Sequence, residues 1–310
     1  FSAGLFWIPF DTLVAQKSHK DNRAYAYGRK DLAVGLGLFI GGIIGFTMYG
    51  ISLAFDIKNV FFVYGAIPFF GISNFIAAVA FLIKIDETLR IDTEEILETS
   101  NNNVKKNNNE AKQTKSRTQR TLILGLIFLS VVILLSCIND TLVKPFLNIY
   151  VLENINEEQF YAMAAYIPAG VTSMLLAPRV GRIVDKIHPA VGVTITSILG
   201  ALITYILINT SSIVGFALLL LFDTTIAKVA ALVVQNIISR VSLKHRGKMM
   251  GAKLLFQNLG FITGPIFGGL AWDSLGQKSP FIISIFVELS LIPFYWLAVK
   301  YIAKNLKEKL

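Results

Sequence analysis

Asp11, Asp223, Lys228 and Glu288 are ionisable residues that lie inside long apolar runs of the sequence. A charged side chain is costly in hydrocarbon, so each is a candidate for a functional role inside a membrane. Asp223 and Lys228 are five residues apart, about 140° around a helix, and are not expected to pair with each other. We expect all four to line a path for a solute or an ion. The alternatives are interhelical ion pairs, a Lys228 side chain that reaches the membrane surface, and an interfacial role for Asp11.

Side chains for catalysis or metal binding are sparse. The only cysteine, Cys137, lies in an apolar run, and His19, His188 and His245 lie in charged connecting stretches. A membrane-embedded enzyme would need clustered carboxylates for a metal, or a histidine paired with an acid or a serine at membrane depth. The apolar runs contain only single, scattered carboxylates. The sequence therefore predicts no enzyme, no metal site and no cofactor.

The elements that position these residues follow from the composition. Of 310 residues, 54% are apolar and only 16% are charged, and the mean hydropathy is +0.60. A soluble domain has about 45–50% apolar and about 25% charged residues, so the solvent of this chain is a bilayer. Since about 20 apolar residues cross the hydrocarbon core as a helix, we predict an all-α polytopic membrane helix bundle. Nine transmembrane helices are predicted, at residues 1–16, 32–55, 59–84, 121–144, 159–178, 189–208, 212–238, 250–272 and 280–302.

One segment differs in kind from the rest. Residues 85–120 are rich in asparagine and lysine and contain few apolar side chains. Such a segment cannot bury enough surface to fold, so we predict a mobile linker. The linker divides the chain into residues 1–84, with three predicted spans, and residues 121–310, with six.

The net charge marks the two sides of the membrane. The chain carries 29 basic and 20 acidic residues, and successive spans place its connections on alternating sides. One side then holds 25 of the 29 basic residues, including those of the linker and of the C-terminus. By the positive-inside rule that side is cytoplasmic, and we expect a plasma-membrane protein. A nucleic-acid partner is not expected, because a binding surface would concentrate the positive charge on one domain.

The sequence contains an internal repeat that joins a connection to the helix after it. Residues 23–46 align with residues 246–269 at one constant offset. The coinciding pairs are Arg23 with Arg246, Gly28 with Gly251, Leu36 with Leu259, Gly37 with Gly260, Gly41 with Gly264, and Gly45 with Gly268. Glycines four residues apart form a stripe on one helix face, which lets neighbouring backbones approach closely. We therefore predict that both glycine stripes pack against other helices.

Two motifs of the sequence resemble those of major facilitator superfamily transporters. Arg246 to Gly251 (RGKMMG), followed by the Gly260, Gly264, Pro265 and Gly268 pattern, resembles the loop and start of that family's eleventh helix. Residues 181–186 (GRIVDK) resemble its cytoplasmic loop signature between the eighth and ninth helices.

The resemblance implies twelve helices in two six-helix halves, joined by a long cytoplasmic loop that the linker at 85–120 fits. The chain begins with Phe1 rather than Met, and on this reading it is an N-terminally truncated transporter with the fourth to twelfth helices. The implied partners are a small-molecule substrate, a coupling proton or cation, and the lipid bilayer. We expect a monomer.

The resemblance also implies a role for Asp185. In this family the corresponding aspartate is taken to pair with basic residues and with the N-terminus of a neighbouring helix. A carboxylate at a helix N-terminus is favourable by about 0.3–1 kcal/mol, small enough for a contact that breaks between conformations. We expect Asp185, accompanied by Gly181, Arg182 and Lys186, to form such a latch. The alternative is an aspartate that only caps a turn.

Two features of the family's drug–proton antiporters are missing from the sequence. The glycine–proline motif of the fifth helix reads Gly41 and Gly42 here, and the fourth-helix segment has no arginine. Antiporter-type proton coupling is therefore not supported. The predicted function is transport of a small solute by alternating access, and the alternative is a transport-inactive receptor or scaffold on the same fold.

Overall fold

The structure is a computed structural model that describes residues 2–57, 71–72, 75–77, 79–80, 83–84, 108–240 and 246–303. Its helices are α1 (Ser2–Lys17), α2 (Arg23–Ala54), α3 (Asn108–Asn154), α4 (Gln159–Ala164), α5 (Tyr166–Val184), α6 (Pro189–Leu207), α7 (Ile213–Arg240), α8 (Arg246–Leu275) and α9 (Ser279–Ala303). A short 3-10 turn, Lys20–Asn22, joins α1 to α2. Within the described ranges there are helices and no strand, which confirms the predicted all-α class.

Seven helical stretches in the described residues are long and apolar enough to cross a membrane. They are Arg23–Ser52, Ile123–Asn154, Gln159–Val184, Pro189–Leu207, Ile213–Arg240, Met249–Leu275 and Ser279–Ile302. Each overlaps one of the predicted spans. The first predicted span, 1–16, is helical in α1, which has 16 residues. Most of the third, 59–84, lies outside the described residues, so the count of nine stays a prediction.

The helices extend beyond the apolar runs. The α3 helix begins at Asn108, within the predicted linker, and ends at Asn154, well past residue 144. Residues 108–120 are thus helical, which differs from the mobile segment that their polarity predicts. Many of them are good helix formers, and continuing an existing helix avoids the cost of nucleation. Residues 85–107 lie outside the described residues.

The helices of the second half pack against one another. The α3 helix packs along α8 and α9, while α5 packs on α7, and α6 packs on both α7 and α9. Three glycines of α8, Gly260, Gly264 and Gly268, face α3. A Cβ on Gly264 would lie 2.8 Å from the carbonyl oxygen of Ile138, and one on Gly268 would lie 2.5 Å from that of Leu142. The two backbones therefore approach most closely where these residues lack a side chain.

The outward faces of these helices are apolar. Phe286, Leu270 and Leu202 are 69%, 61% and 52% exposed. A contiguous surface of this kind would drive aggregation in water, whereas lipid tails solvate it. The distribution of exposed apolar side chains agrees with the bilayer as solvent.

The chain divides into two units by its contacts: residues 1–29 with 91–310, and residues 30–90. In the second unit, Gly37, Gly41 and Gly45 lie on α2. A Cβ on Gly37 or Gly45 would meet no atom within 4 Å in the described part of the chain. The glycine stripe of α2 therefore contrasts with its repeat on α8, where the same positions contact α3.

Candidate functional site

The first turn of α2 contacts the end of α5 through one carboxylate. The backbone N–H groups of Ala24 and Tyr25 donate to Asp185 Oδ1 and Oδ2, at 2.9 and 3.0 Å. The first amides of a helix have no partner within it, so a carboxylate is a natural acceptor for them. Asp185 directly follows α5 and caps a helix that is distant in the sequence. We call the contact formed by Ala24, Tyr25, Gly28, Gly181 and Asp185 the α2–α5 junction.

Two glycines bring the backbones together at the α2–α5 junction. A Cβ on Gly181 would lie 2.5 Å from the carbonyl oxygen of Ala24 and 2.8 Å from the Cα of Tyr25. A Cβ on Gly28 would lie 2.8 Å from the carbonyl carbon of Ala177. These neighbours are backbone atoms, which cannot give way unless a helix moves. Asp185 reaches the amides of α2 because both helices carry glycine at this point.

A second contact at the junction joins two side chains. The guanidinium carbon of Arg182 lies 4.5 Å from the centroid of the Tyr25 ring, and its Nη2 donates to the Tyr25 hydroxyl at 3.2 Å. A cavity of about 350 Å³ lies beside this pair, lined by Asp21, Asn22, Tyr25, Arg182, Asp185 and Lys186.

The end of α7 supports Asp185 from a further side. Asn236 is only 3% exposed, and its Nδ2 donates to Asp185 Oδ1 at 3.5 Å. Its Oδ1 accepts a hydrogen bond from Arg240 Nε at 2.9 Å. Arg23, the first residue of α2, donates through Nη1 to the carbonyl oxygen of Ser239 at 3.5 Å. The amide of Asn236 therefore bridges the acidic Asp185 and the basic Arg240.

Burial raises the pKa of Asp185. The N–H groups of Tyr25 and Ala24 and the positive charge of Arg240 favour the carboxylate and oppose that rise, while the charge of Asp21 adds to it. Because the net direction is upward, the loss of hydration outweighs what these groups return to the ionised form. The ionised form of Asp185 is therefore less favoured at the junction than in water.

The other loop-motif residues lie elsewhere. Arg246 begins α8, and Gly251 follows in its second turn. A Cβ on Gly251 would lie 3.8 Å from Ile8 Cδ1 on α1, an ordinary van der Waals distance. Lys186 is exposed beside the cavity, and Pro265 lies inside α8. Thus the structure brings Gly181, Arg182 and Asp185 into one contact and places Gly251 against α1.

Glu288 lies where α9 meets α3 and α6. Asn139 of α3 donates through Nδ2 to Glu288 Oε2 at 2.6 Å. A Cβ on Gly200 of α6 would lie 3.1 Å from Glu288 Oε1, so the carboxylate occupies a notch left by the missing side chain. The Glu288 side chain of α9 therefore contacts both α3 and α6.

The remaining predicted path residues are half-buried. Asp223 and Lys228 lie on α7, and Asp11 lies on α1, where its backbone carbonyl accepts a hydrogen bond from the Tyr27 hydroxyl at 2.9 Å. Whether they line a path stays a prediction.

Some residues of these sites are not apparent in the sequence. Asn139 and Gly200 sit in apolar runs that look like packing, and only the fold brings them to Glu288. Asn236 has a weak signal, since it follows Gln235 in an otherwise apolar stretch of α7. The sequence gives no signal for Tyr25, because its contacts come from its backbone N–H and from its aromatic ring.

The whole chain matches one known family. The sequence profile described as Major Facilitator Superfamily matches residues 1–227 and 129–309. The chain belongs to the major facilitator superfamily. Within this superfamily, Multidrug resistance protein MdtG of Escherichia fergusonii is 28% identical over 164 residues, and that of Rahnella sp. is 28% identical over 165 residues. Each alignment covers 50% of this chain and 39% of the relative.

A solved structure shares the fold. The major facilitator superfamily transporter FucP, in its outward conformation, is similar with a TM-score of 0.69 and 12% sequence identity. The similarity covers 95% of this chain and 72% of FucP. At this identity the likeness concerns the fold alone. The chain is thus an integral membrane protein of a transporter superfamily, as the GRIVDK and RGKMMG motifs predict.

Proposed function

We propose that this protein moves a small solute across the plasma membrane by alternating access, with the α2–α5 junction as its cytoplasmic latch. The observation that supports the proposal is the capping of α2 by Asp185. The α2 helix precedes the predicted linker and α5 follows it, so the contact joins the two halves of the transporter. The positive-inside rule assigns this end of the helices to the cytoplasm.

The latch acts through the equilibrium between two conformations. In alternating access the two halves rock around a central site, so contacts at one end must break when that end opens. A contact contributes to the cycle only through its difference in free energy between the two states. The carboxylate of Asp185 gains two hydrogen bonds when docked and loses hydration, so the two terms oppose each other. The junction can therefore bias the closed state and still open in each cycle.

The proposed path residues are Asp11, Asp223, Lys228 and Glu288. Ionisable side chains at membrane depth are retained where they serve substrate or ion movement. The contacts of Glu288 with Asn139 of α3 and with the Gly200 position of α6 support a polar region between these helices and α9.

The substrate class is best approached through the relatives. The MdtG proteins are named for multidrug resistance, which makes lipophilic organic compounds the first class to test. The missing antiporter features, at Gly42 and in the fourth-helix segment, point away from proton-driven drug export. Accumulation of a fluorescent lipophilic cation, compared between cells with and without the full-length protein, tests whether the protein exports such compounds. A panel of sugars, amino acids and organic anions then tests the other substrate classes.

The latch is tested by Asp185→Asn in the full-length protein, with uptake measured in proteoliposomes. An amide has one acceptor oxygen, so one N–H group of α2 loses its partner, at about 1–3 kcal/mol, while removal of the charge relieves desolvation. We expect slower transport with unchanged substrate preference. Asp273→Asn, on the exposed end of α8, is the matched control. Altered preference at a normal rate would show that Asp185 is not a latch.

The path assignment is tested by Asp223→Asn and Glu288→Gln. We expect both variants to be expressed at normal levels and to lose uptake. Normal uptake by both would refute the path assignment. Absence of transport by the wild-type protein, with a ligand still bound, would instead favour the receptor or scaffold.

A further inference from the structure

Two consecutive buried amides near the end of α7 bond to different neighbours. Gln235 is 5% exposed, and Asn236 is buried beside it. The Asn236 amide serves the α2–α5 junction, where it donates to Asp185. Consecutive residues lie about 100° apart around a helix, so the Gln235 side chain leaves α7 in another direction. The end of α7 therefore presents one amide to the junction and a second amide to a different helix.

That second helix is α8, which contacts both ends of the Gln235 amide. The Oε1 atom of Gln235 accepts a hydrogen bond from Lys253 Nζ, and its Nε2 donates to Met250 Sδ at 3.5 Å. The α7 helix packs closely on α5 and α6 but much less on α8. Because a buried amide is costly to leave without partners, these two bonds hold the beginning of α8 against α7.

The same part of α8 lies against α1. Gly251 follows Met250, and a Cβ on Gly251 would lie 3.8 Å from Ile8 Cδ1 of α1. The α1 and α2 helices precede the predicted linker, whereas α5, α7 and α8 follow it. The α1–α8 contact and the α2–α5 junction are therefore two separate contacts between the halves, and the amides of Gln235 and Asn236 lie between them.

We infer that Gln235 is a positioning residue, which holds the end of α7 at the rotation where Asn236 reaches Asp185. Lys253 anchors it, because a charged donor makes a stronger hydrogen bond than a neutral one. The Asn236 Nδ2 to Asp185 Oδ1 distance of 3.5 Å is at the limit of hydrogen-bond range, so a small rotation of α7 breaks this contact. A movement of α8 against α1 is thereby transmitted to the α2–α5 junction. The part of this link in transport rests on the proposed function, whereas its effect on the docking of α2 does not.

The test measures the distance between spin labels on cysteines at Asn22 and His188 in the full-length protein, with Cys137 replaced by alanine. The labels report on the starts of α2 and α6. In Gln235→Met, which removes both polar ends of the side chain, we expect the ratio of short to long distances to fall by about 5-fold or more. Lys253→Met should shift it in the same direction. The double variant should shift it no further than the larger single effect, because both changes remove one hydrogen bond.

Three further variants separate positioning from packing. Gln235→Glu still offers an acceptor to Lys253, so we expect it to keep the wild-type distances. Gln235→Asn keeps the amide but is one methylene shorter, so it should shift the distances as Gln235→Met does, and it replaces that variant if Gln235→Met does not fold. Gln257→Met is the matched control, because it makes the same chemical change at a half-buried glutamine one turn along α8 from Lys253.

The positioning role is overturned by wild-type distances in Gln235→Met or Gln235→Asn, or by an equal shift in Gln235→Glu or Gln257→Met. A wild type without the short distance overturns it as well. Uptake in proteoliposomes separates this result from the proposed function. The expected shifts in a protein that transports nothing retain the positioning role and refute transport. Normal transport with unshifted distances refutes the positioning role alone.

Discussion

Gly181→Ala is the most direct perturbation of the latch. Its Cβ would lie 2.5 Å from the carbonyl oxygen of Ala24, whereas ordinary contacts begin near 3.4 Å. The helices must therefore separate by up to about 0.9 Å at this point. A comparable shift along the hydrogen bonds from Ala24 and Tyr25 to Asp185, now 2.9 and 3.0 Å long, would take them beyond hydrogen-bond range. Overpacking costs about 1–3 kcal/mol, so the docked population should fall by about 5–150-fold relative to the undocked one.

The assay is the distance between two spin labels, measured by pulsed electron resonance on the full-length protein. Labels on cysteines at Asn22 and His188, both exposed, report on the starts of α2 and α6. The single native cysteine, Cys137, is replaced by alanine. We expect the wild type to populate a short distance and Gly181→Ala to shift the distribution towards longer ones.

Gly170→Ala is the matched control, because Gly170 lies on the same helix and a Cβ there would meet no atom within 4 Å. Both substitutions raise helix propensity equally, by about 1 kcal/mol. The difference between the distance distributions of Gly181→Ala and Gly170→Ala therefore measures the steric effect at the junction. If the two variants give the same distance distribution as the wild type, the close approach at Gly181 does not set the docking equilibrium and the reasoning fails.

Three further predictions concern the same contacts. Gly28→Ala should shift the label distances as Gly181→Ala does, and the double variant should show less than the sum, because both act on one contact. Gly264→Ala should lower the unfolding temperature through overpacking of about 1–3 kcal/mol against α3, whereas Gly269→Ala, with its nearest atom at 3.8 Å, should not. Tyr25→Phe retains the ring under the guanidinium and should leave the distances unchanged, while Tyr25→Ala should lengthen them slightly; an equal effect of both would assign the contact to the hydroxyl.

The sequence predicts those parts of the fold that depend on local composition. Seven spans can be predicted from runs of apolar residues, because a helix of about 20 such residues is long enough to cross a bilayer. Helix ends are less predictable, as Asn108 and Asn154 show for α3, because polar residues with good helix propensity extend a helix into water. The linker was predicted from polarity alone, and polarity does not prevent the continuation of a helix that the apolar run has already nucleated.

The sites depend on partners that the sequence does not place together. Asp185 was predicted from its motif to meet a helix N-terminus, but the amides it meets belong to Ala24 and Tyr25, whose side-chain types carry no signal for backbone donors. The sequence shows Glu288 only as a charge in an apolar run. Its need for Asn139 and Gly200 follows only from helix packing, which brings three segments together.

The repeat shows why similar motifs need not make similar contacts. Gly28 and Gly251 occupy equivalent positions, yet a Cβ on Gly28 would overlap the backbone of α5 and one on Gly251 would sit 3.8 Å from a side-chain tip on α1. A repeated sequence fixes the local helix start, whereas the neighbour depends on how the halves are arranged. If the halves rock, the contact at Gly28 loosens when the cytoplasmic end opens. The contact between Gly251 and α1 also joins the two halves, but it involves only the tip of one apolar side chain at an ordinary van der Waals distance, so breaking it costs little. On the proposed mechanism, we therefore expect the conformational bias to depend on Gly28, Gly181 and Asp185 more than on Gly251.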